Sequence, residues 1–495
     1  MRPSIARQLW ISCHKRSEAS MIVSEPAPSA AAPRFRKVLH SLDMTLFTVC
    51  AILIVDQLAA SAAIGVQSIF WWIVTLVLFF IPYGLITAEL GSAYPEEGGI
   101  YAWVRRAFGA RWAGRTAWLW WVNVAFWMPS VYILFAGIFA ELVAPDLSLT
   151  AKIAITLALT WITVGINIVA LDVGKWVPNI GAMFKVIIML AIGLGGIIYA
   201  ARNGVANPFT LETMAPSWGA SLAFLPVILY NYLGFELMSG AGEEMDNPAY
   251  DVPRAIIRSG AIIAFFYIFA TVGILVALPL EDIGLIEGLT DTFRRLFGTS
   301  GAGGIVATAL AVMALYSLVA NMVTWTIGAN RSAAEAANRG DLPLIFARLH
   351  ARYRTPASAA FLCGVISSAV LLVYGGLASS AEDLFWTTFA FSSVVFLLPY
   401  FLLFLSFLKL RNSDATTPRP YRVPGGRTGA VVMAVVCMAF ILQAIIFFIY
   451  QPGEFDRVYA GAVVGGVLLT IIAGEMLIRR RKSGGDGAVE VSANV

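Results

Sequence analysis

Twelve long apolar segments dominate the sequence and limit what the chain can fold into. A helix needs about 20 apolar residues to cross the hydrocarbon core of a bilayer. Backbone N–H and C=O groups find no water there, so each segment is expected to form an α-helix. The segments are too long and too uniformly apolar for the short alternating strands of a barrel. The sequence predicts an all-α membrane protein with about 12 transmembrane helices, at residues 44–64, 68–91, 117–143, 151–170, 177–201, 220–241, 258–279, 303–329, 357–377, 384–409, 429–450 and 457–478.

The composition supports a lipid environment and excludes several classes of protein. Hydrophobic residues make up 59% of the chain and charged residues only 13%, whereas about a quarter of the residues of a soluble domain are charged. A soluble enzyme, a disordered chain and a nucleic-acid-binding protein are therefore excluded. The net charge of +4 is too small for a chain of this length to indicate a polyanionic partner. We expect the lipid bilayer to surround most of the protein.

Metal and cofactor chemistry finds no support in the pattern of ligand side chains. The three histidines and four cysteines show neither the spacing of a zinc site nor that of a disulfide framework. No glycine-rich phosphate loop ends in Gly-Lys-Ser/Thr. An intramembrane enzyme would need a nucleophile–base or metal constellation, and so few histidines argue against one. We predict that the protein binds no metal or cofactor, hydrolyses no ATP and is not an enzyme.

Three regions are expected along the chain. Residues 1–37 are polar and then rich in Ala, Pro and Ser, and they lack an apolar signal core, so they are predicted to form a disordered cytoplasmic tail. Within this tail, Met21 is an alternative start to Met1. Residues 38–482 form the transmembrane domain, and residues 483–495 form a short cytoplasmic tail.

The distribution of Lys and Arg predicts the orientation, because cytoplasmic loops carry an excess of these residues. Most of the 34 Lys and Arg residues fall in the N-terminal tail, in alternate loops and at the C-terminal end. The loops of the other side hold only Lys152, Arg202, Arg294, Arg295 and Arg457. Both termini are therefore predicted to be cytoplasmic, in the cell membrane.

Two apolar segments carry charges and small residues that a passive helix bundle does not need. The sixth segment contains Gly234 and Glu236, and a carboxylate inside a bilayer is unfavourable unless it is paired or protonated. The first contains Asp56, followed by a run of small residues that ends at Gly65. Paired interruptions in two halves of a chain indicate a transporter's midplane site, whereas small residues alone also serve close helix packing. We predict that both helices are broken and that the breaks mark a substrate site.

At these residues the chain resembles amino acid–polyamine–organocation (APC) transporters, over roughly residues 38–480. Four motifs occur in order: Ala88-Glu89-Leu90-Gly91 with Pro95–Tyr101, Gly234-Phe235-Glu236 with Asn247–Ala255, Gly328-Ala329-Asn330-Arg331 with Gly340–Pro343, and Pro420–Gly426. The glutamate/GABA antiporter branch is the nearest, although the chain has Asn321 at an expected acidic position. The resemblance implies a LeuT-like 5+5 inverted repeat, about 44–201 and 220–409, plus two extra C-terminal helices, about 429–478.

The resemblance also implies a substrate site between the first and sixth helices. Its residues would be Leu58, Ala60, Ser61, Ala62, Tyr230, Leu233, Gly234 and Trp325. The N–H groups of the Ala-Ser-Ala segment would bind a substrate carboxylate, and the two leucine carbonyls would face the amine. The glycine frees the backbone at the break, the tyrosine takes the place of a gate, and the tryptophan lines the site. Both aromatic residues have the alternative of ordinary packing.

Lys185, Asp56 and Glu236 are the candidate coupling residues. Relatives that use protons carry a lysine in the fifth helix like Lys185, where sodium-coupled relatives bind a cation, and Asp56 aligns beside it. Our hypothesis is that Lys185 and Asp56 form a pair whose protonation follows the transport cycle. A lysine that reaches to the nearby membrane surface is the alternative for Lys185, and Asp56 could instead bind the amine of a cationic substrate.

The sequence and the resemblance together predict a secondary active transporter of amino acids or related amines. It would work by alternating access, as a proton-coupled symporter or an exchanger, with a small-molecule substrate and protons as its partners. The alternatives are a polyamine or organic cation transporter of the same fold, and a substrate sensor or channel-like protein. The substrate, the stoichiometry and the oligomeric state do not follow from the sequence.

Overall fold

A computed structural model describes residues 41–55, 57–96, 98–169, 176–216, 220–239, 247–284, 287–376, 378–450 and 457–484. These residues are almost entirely helical, and no strand occurs within these ranges. The predicted N-terminal tail and the last eleven residues lie outside them. The prediction of an all-α membrane protein is therefore confirmed.

Ten helices in the described part of the chain are long and apolar enough to cross a membrane without interruption. They are α2 (Ser68–Ala93), α3 (Ala110–Val143), α4 (Leu149–Val169), α5 (Trp176–Asn203), α7 (Pro248–Ala277), α8 (Gly301–Asn338), α9 (Ala357–Gly375), α10 (Ala381–Ser413), α11 (Gly426–Ile449) and α12 (Arg457–Gly484). Within the continuous helix α2, residues Leu76–Phe80 form a π-helical turn. Short α-helices also lie between spans in the described ranges, at Ile100–Phe108 before α3, Leu211–Met214 after α5 and Gly288–Phe297 before α8.

The first and sixth spans are broken, as the small and charged residues predicted. The first consists of α1a (Ser41–Ile52) and α1b (Leu58–Ala62), and the sixth of α6a (Ala220–Asn231) and α6b (Glu236–Ser239). Gly234 has φ of +131° within the second break, a conformation that a side chain makes unfavourable. Together with the ten unbroken helices, these two spans confirm the expectation of about twelve.

The longest apolar helices pack around α3, which contacts α4, α8, α9, α10 and α12. Four of its tryptophans, at positions 118, 120, 121 and 127, are buried. By contrast, α11 and α12 expose side chains such as Leu442 and Leu469, which suit contact with lipid. Both breaks lie against these inner helices, so the core of the bundle surrounds the candidate site.

Ion pairs join the loops that follow α2, α8 and α10 at one end of the bundle. Arg106 lies 2.9 Å from Glu96, which also pairs with Arg339 at 3.1 Å. Arg106 also reaches Asp414 at 3.4 Å. Hydrogen bonds from the hydroxyl and backbone N–H of Thr417 lower the pKa of Asp414 to about 2, so this carboxylate stays ionised at neutral pH. Loops predicted to be cytoplasmic thus share one side of the protein.

Candidate functional site

The first half of α1 ends inside the protein, where side chains of other helices bind its last carbonyl groups. These carbonyls have no partner within a helix, and they carry partial negative charge. Nζ of Lys185 (α5) donates to the carbonyl of Cys50 at 2.5 Å and to Oδ1 of Asn321 (α8) at 3.0 Å. Nε1 of Trp325 (α8) donates to the carbonyl of Ala51 at 3.0 Å. A buried ammonium therefore lies at the end of a half-helix.

Tyr267 of α7 connects the two breaks. Its hydroxyl donates to the carbonyl of Ile52 at the end of α1a and accepts the N–H of Ile54 at 2.8 Å. The same hydroxyl lies 3.1 Å from the carbonyl oxygen of Asn231, the last residue of α6a. The ring stacks on Trp72 of α2 with centroids 4.6 Å apart. One side chain thus positions the unwound segments of both spans.

Glu236 begins α6b and is held by two tyrosine hydroxyls. Tyr83 (α2) donates to Oε2 of Glu236, and its oxygen accepts the N–H groups of Gly234 at 3.0 Å and Phe235 at 2.9 Å. Tyr400 (α10) donates to Oε1 at 2.7 Å. The carboxyl group is 1% exposed and has a hydrogen bond on each oxygen. These bonds join the break in α6 to α2 and α10.

Five aromatic rings converge beside the breaks, and we call them the aromatic cluster: Trp120 and Trp127 (α3), Tyr230 (α6a), Trp325 (α8) and Phe396 (α10). Neighbouring ring centroids in the cluster are 5.2–5.9 Å apart. All five side chains are buried. The faces of such rings carry negative charge density and attract organic cations. The cluster is therefore suited to surround an alkylammonium or guanidinium group.

Comparison with known proteins decides the family. The sequence pattern of the family described as amino acid permease matches residues 39–469. The chain is 36% identical to a probable agmatine/putrescine antiporter of Lactococcus lactis over 440 residues, which are 88% of this chain and 93% of that one. The chain belongs to the amino acid permease family. This permease is thus a multi-pass membrane transporter of amino acids or related amines, and it is not an enzyme.

Two further relatives are more distant. The permease is 26% identical to a polyamine transporter of Arabidopsis thaliana over 392 residues, which are 76% of this chain and 73% of that one. It is 22% identical to a glutamate/gamma-aminobutyrate antiporter of Lactococcus lactis over 415 residues, 81% of each chain. The resemblance to APC transporters seen in the sequence motifs is therefore confirmed.

The small-residue segment predicted to form the break in the first span lies just after that break, within α1b. The permease is unwound at residues 53–55 and 57, whereas Ala60, Ser61 and Ala62 are buried within α1b. The N–H and hydroxyl of Ser61 both donate to the carbonyl of Gln57, at 3.0 and 2.9 Å, and its oxygen accepts from Asn231 at 3.1 Å. Alanine favours helix where glycine would not. The segment therefore stays helical.

The remaining predicted residues lie close to the breaks or outside the described residues. Leu58 is the first residue of α1b, and Leu233 lies in the break of α6, both fully buried. Gly234 contacts the cluster, since a Cβ placed there would lie 3.2 Å from the ring of Trp325. Asp56 lies outside the described residues, so its pairing with Lys185 stays a prediction.

Sequence reasoning missed Tyr83, Tyr267 and Tyr400, which bind the two breaks from three other helices. Tyrosine is common at membrane interfaces and in cores, so its presence in an apolar helix is a weak signal. A second missed signal is Asn123, a polar residue in the middle of the tryptophan-rich segment of α3. It lies about one helical turn from both Trp120 and Trp127 of the aromatic cluster.

Proposed function

We propose that this permease exchanges small organic cations of the agmatine and putrescine type across the cell membrane by alternating access. The observation that carries the proposal is the aromatic cluster, which lies where two half-helices end inside the bundle. Ring faces attract an ammonium group by about 2 kcal/mol or more when water is excluded. The agmatine/putrescine antiporter with 36% identity supports this substrate class.

The charge around the cluster also favours a cation. The ring of Trp120 contacts that of Tyr400 at 5.7 Å, and the hydroxyl of Tyr400 donates to Glu236 at 2.7 Å. A carboxylate thus lies one side chain away from the aromatic faces. The carbonyl end of α6a adds partial negative charge, whereas the last carbonyls of α1a already bind Lys185, Trp325 and Tyr267. The carboxylate and the end of α6a favour a positive group over a negative one on their side of the cluster.

Alternating access fits the small volume of the cavity beside Glu236. A cavity of about 10 Å³ is lined by Trp120, Glu236, Gly328 and Ser332, among others. This volume is about that of a single water position, so an organic cation cannot pass there in this conformation. Opening requires α6b or its neighbours to move, and the unwound residues between α6a and α6b supply a hinge.

Lys185 is our candidate for coupling this movement to protons. Its ammonium binds the end of α1a through the carbonyl of Cys50 and binds α8 through Asn321. Loss of the proton would remove a charge-assisted hydrogen bond and weaken the hold on α1a. We propose that protonation of Lys185, together with Asp56 and Glu236, sets the position of the broken helices.

We also propose that both termini of the permease lie in the cytoplasm.

Exchange in reconstituted vesicles tests the substrate class. Vesicles holding the purified permease and unlabelled putrescine are expected to take up labelled agmatine faster than vesicles without putrescine. In an exchanger, the binding site returns to the outer side with putrescine bound, so internal putrescine speeds each transport cycle. A channel shows no such acceleration. Labelled glutamate or neutral amino acids exchanging faster than either amine would overturn the proposal.

Variants of Trp120 connect the exchange to the aromatic cluster. Trp120→Leu removes the ring face and is expected to raise the KM for both amines about tenfold, on the basis of the strength of a cation–π contact. Trp120→Phe keeps a ring and is expected to retain most of the affinity. Trp176→Leu, at a tryptophan that is 60% exposed at the start of α5, is the matched control and should change nothing.

A further inference from the structure

Asn123 carries an unexplained polar group in the centre of the permease. Its side chain is fully buried in α3, and neither Nδ2 nor Oδ1 has a hydrogen-bond partner within the described part of the chain. A buried amide atom without a partner costs about 1–3 kcal/mol of stability. Other buried asparagines have a partner on at least one amide atom: Oδ1 of Asn330 accepts from Trp121 at 2.9 Å, and Nδ2 of Asn167 donates to Thr326 at 2.7 Å.

The position of Asn123 on α3 places it beside the aromatic cluster. Residues three and four apart adjoin on a helix surface, so Asn123 shares a face with Trp120 and Trp127. Both rings contact Trp325, at centroid distances of 5.8 and 5.6 Å. Nε1 of Trp127 is a second buried polar atom without a partner. Two polar groups that the fold does not satisfy therefore lie one helical turn apart, next to the rings.

We propose that Asn123 forms a polar subsite for the second nitrogen of the transported diamine or guanidino-amine. One nitrogen lies against the aromatic rings, and an N–H of the other donates to Oδ1 of Asn123. This inference rests on the proposed function, because it assumes a substrate with a nitrogen at each end. A neutral amide accepts from an ammonium or a guanidinium equally well, so the subsite suits both classes.

The N–H groups of the subsite also gain hydrogen-bond partners when the substrate binds. An amine substrate offers no acceptor, so the N–H groups of Asn123 and Trp127 bond to water that enters with the substrate. In the empty permease these groups lower stability, and in the loaded permease they select a ligand with two polar ends. A residue that strengthens binding but weakens the empty fold is expected at a functional site.

A comparison of three ligands with two variants tests the subsite. We would measure the Kd of putrescine, agmatine and n-butylamine by calorimetry on the full-length permease, and its melting temperature without ligand. Asn123→Ala is expected to weaken putrescine and agmatine about tenfold, the effect of one hydrogen bond to a charged group. Binding of n-butylamine, which has no second nitrogen, should change less than twofold. The melting temperature of the empty variant should stay equal or rise.

Asn330→Ala is the matched control. It removes a buried asparagine that is paired, leaves Nε1 of Trp121 without a partner, and should lower the melting temperature without discriminating among the three ligands. Equal weakening of putrescine and n-butylamine by Asn123→Ala would overturn the subsite. So would a lower melting temperature or failure of Asn123→Ala to fold, because either shows that the amide is paired in the empty protein. If the unaltered permease binds none of the three amines, the proposed function itself fails.

Discussion

At the scale of single residues, a small number of buried donors hold the broken helices in place. Three successive carbonyls at the end of α1a each accept a hydrogen bond from a different helix. The donors are Lys185 of α5, Trp325 of α8 and Tyr267 of α7. Helix ends in lipid have no water to satisfy them, so such donors are required for the break to exist. The ammonium of Lys185 differs from the others because its charge depends on a proton.

Replacing Lys185 tests whether this proton takes part in transport. Lys185→Ala leaves the Cys50 carbonyl and Asn321 without the ammonium, and we expect exchange to fall at least tenfold, on the scale of a buried charge-assisted hydrogen bond. The remaining activity should lose its dependence on pH, because alanine cannot carry the proton of the lysine. Initial rates in vesicles at several pH values measure both effects. Lys152→Ala, at the start of α4, is the control, and an unchanged pH profile for Lys185→Ala contradicts the coupling role.

At the scale of helices, the two breaks have different local causes. The break in α6 contains Gly234 with φ of +131°, where a side chain would be strained and would lie 3.0 Å from Ile52. The break in α1 contains no glycine within residues 53–57, and donors from other helices stabilise it instead. Glycine therefore defines one break locally, whereas tertiary hydrogen bonds define the other.

Gly234→Ala is expected to disturb the site more than its size suggests. The positive φ and the contact with Ile52 should lower stability by about 1–3 kcal/mol and move Trp325, so that amine affinity falls. Gly165→Ala in α4 meets no atom within 4 Å and should stabilise the permease by about 0.5–1 kcal/mol. Melting temperature and amine binding on both variants measure the difference. Equal behaviour of the two variants would show that the φ value of Gly234 is unimportant.

At the scale of the whole molecule, a buried carboxylate joins distant parts of the chain. Glu89 near the end of α2 is 2% exposed and lies 3.2 Å from Arg419, between α10 and α11, and 3.5 Å from Arg411, in the last turn of α10. The backbone N–H of Val423 donates to it at 2.7 Å. This cluster attaches the end of α10 and the segment that follows it to the end of α2, on the side predicted to be cytoplasmic.

Glu89→Gln tests this attachment. The variant leaves Arg419 and Arg411, whose side chains are 7% and 18% exposed, without their carboxylate, and we expect a loss of about 3 kcal/mol of stability. Melting followed by size-exclusion chromatography measures it. Glu212→Gln, at an exposed residue in the loop between α5 and α6, is the control and should melt like the unaltered permease. A normal melting temperature for Glu89→Gln would mean that the cluster does not stabilise the fold.

Labelling from outside the cell tests the predicted orientation. Cys50, Cys363 and Cys437 are buried, so a new surface cysteine can be labelled selectively once Cys13 is replaced by serine. Val205→Cys, between α5 and α6, should react with a membrane-impermeant maleimide in intact cells. Arg352→Cys, between α8 and α9, should react only after the cells are permeabilised. The reverse pattern would invert the topology.

The sequence alone determined the class of fold and the two broken helices, because both depend on local hydrophobicity and charge. The number of spans, the broken first and sixth helices, and Gly234, Lys185 and Glu236 as notable residues followed from runs of apolar side chains and their interruptions, whereas Tyr230 and Trp325 followed from the resemblance to APC transporters. The charges are recognisable without tertiary context because an ionisable side chain in lipid is unfavourable unless the fold pairs it.

Only the tertiary structure decided which partners make the interruptions tolerable. Tyr83, Tyr267 and Tyr400 come from three separate helices and lie more than 100 residues from at least one group that they bind. No local pattern marks them, because a tyrosine in an apolar helix has the same surroundings in sequence whether its hydroxyl is used or not. The position of the first break likewise depended on hydrogen bonds between distant helices rather than on the Ala-Ser-Ala segment, which remains helical.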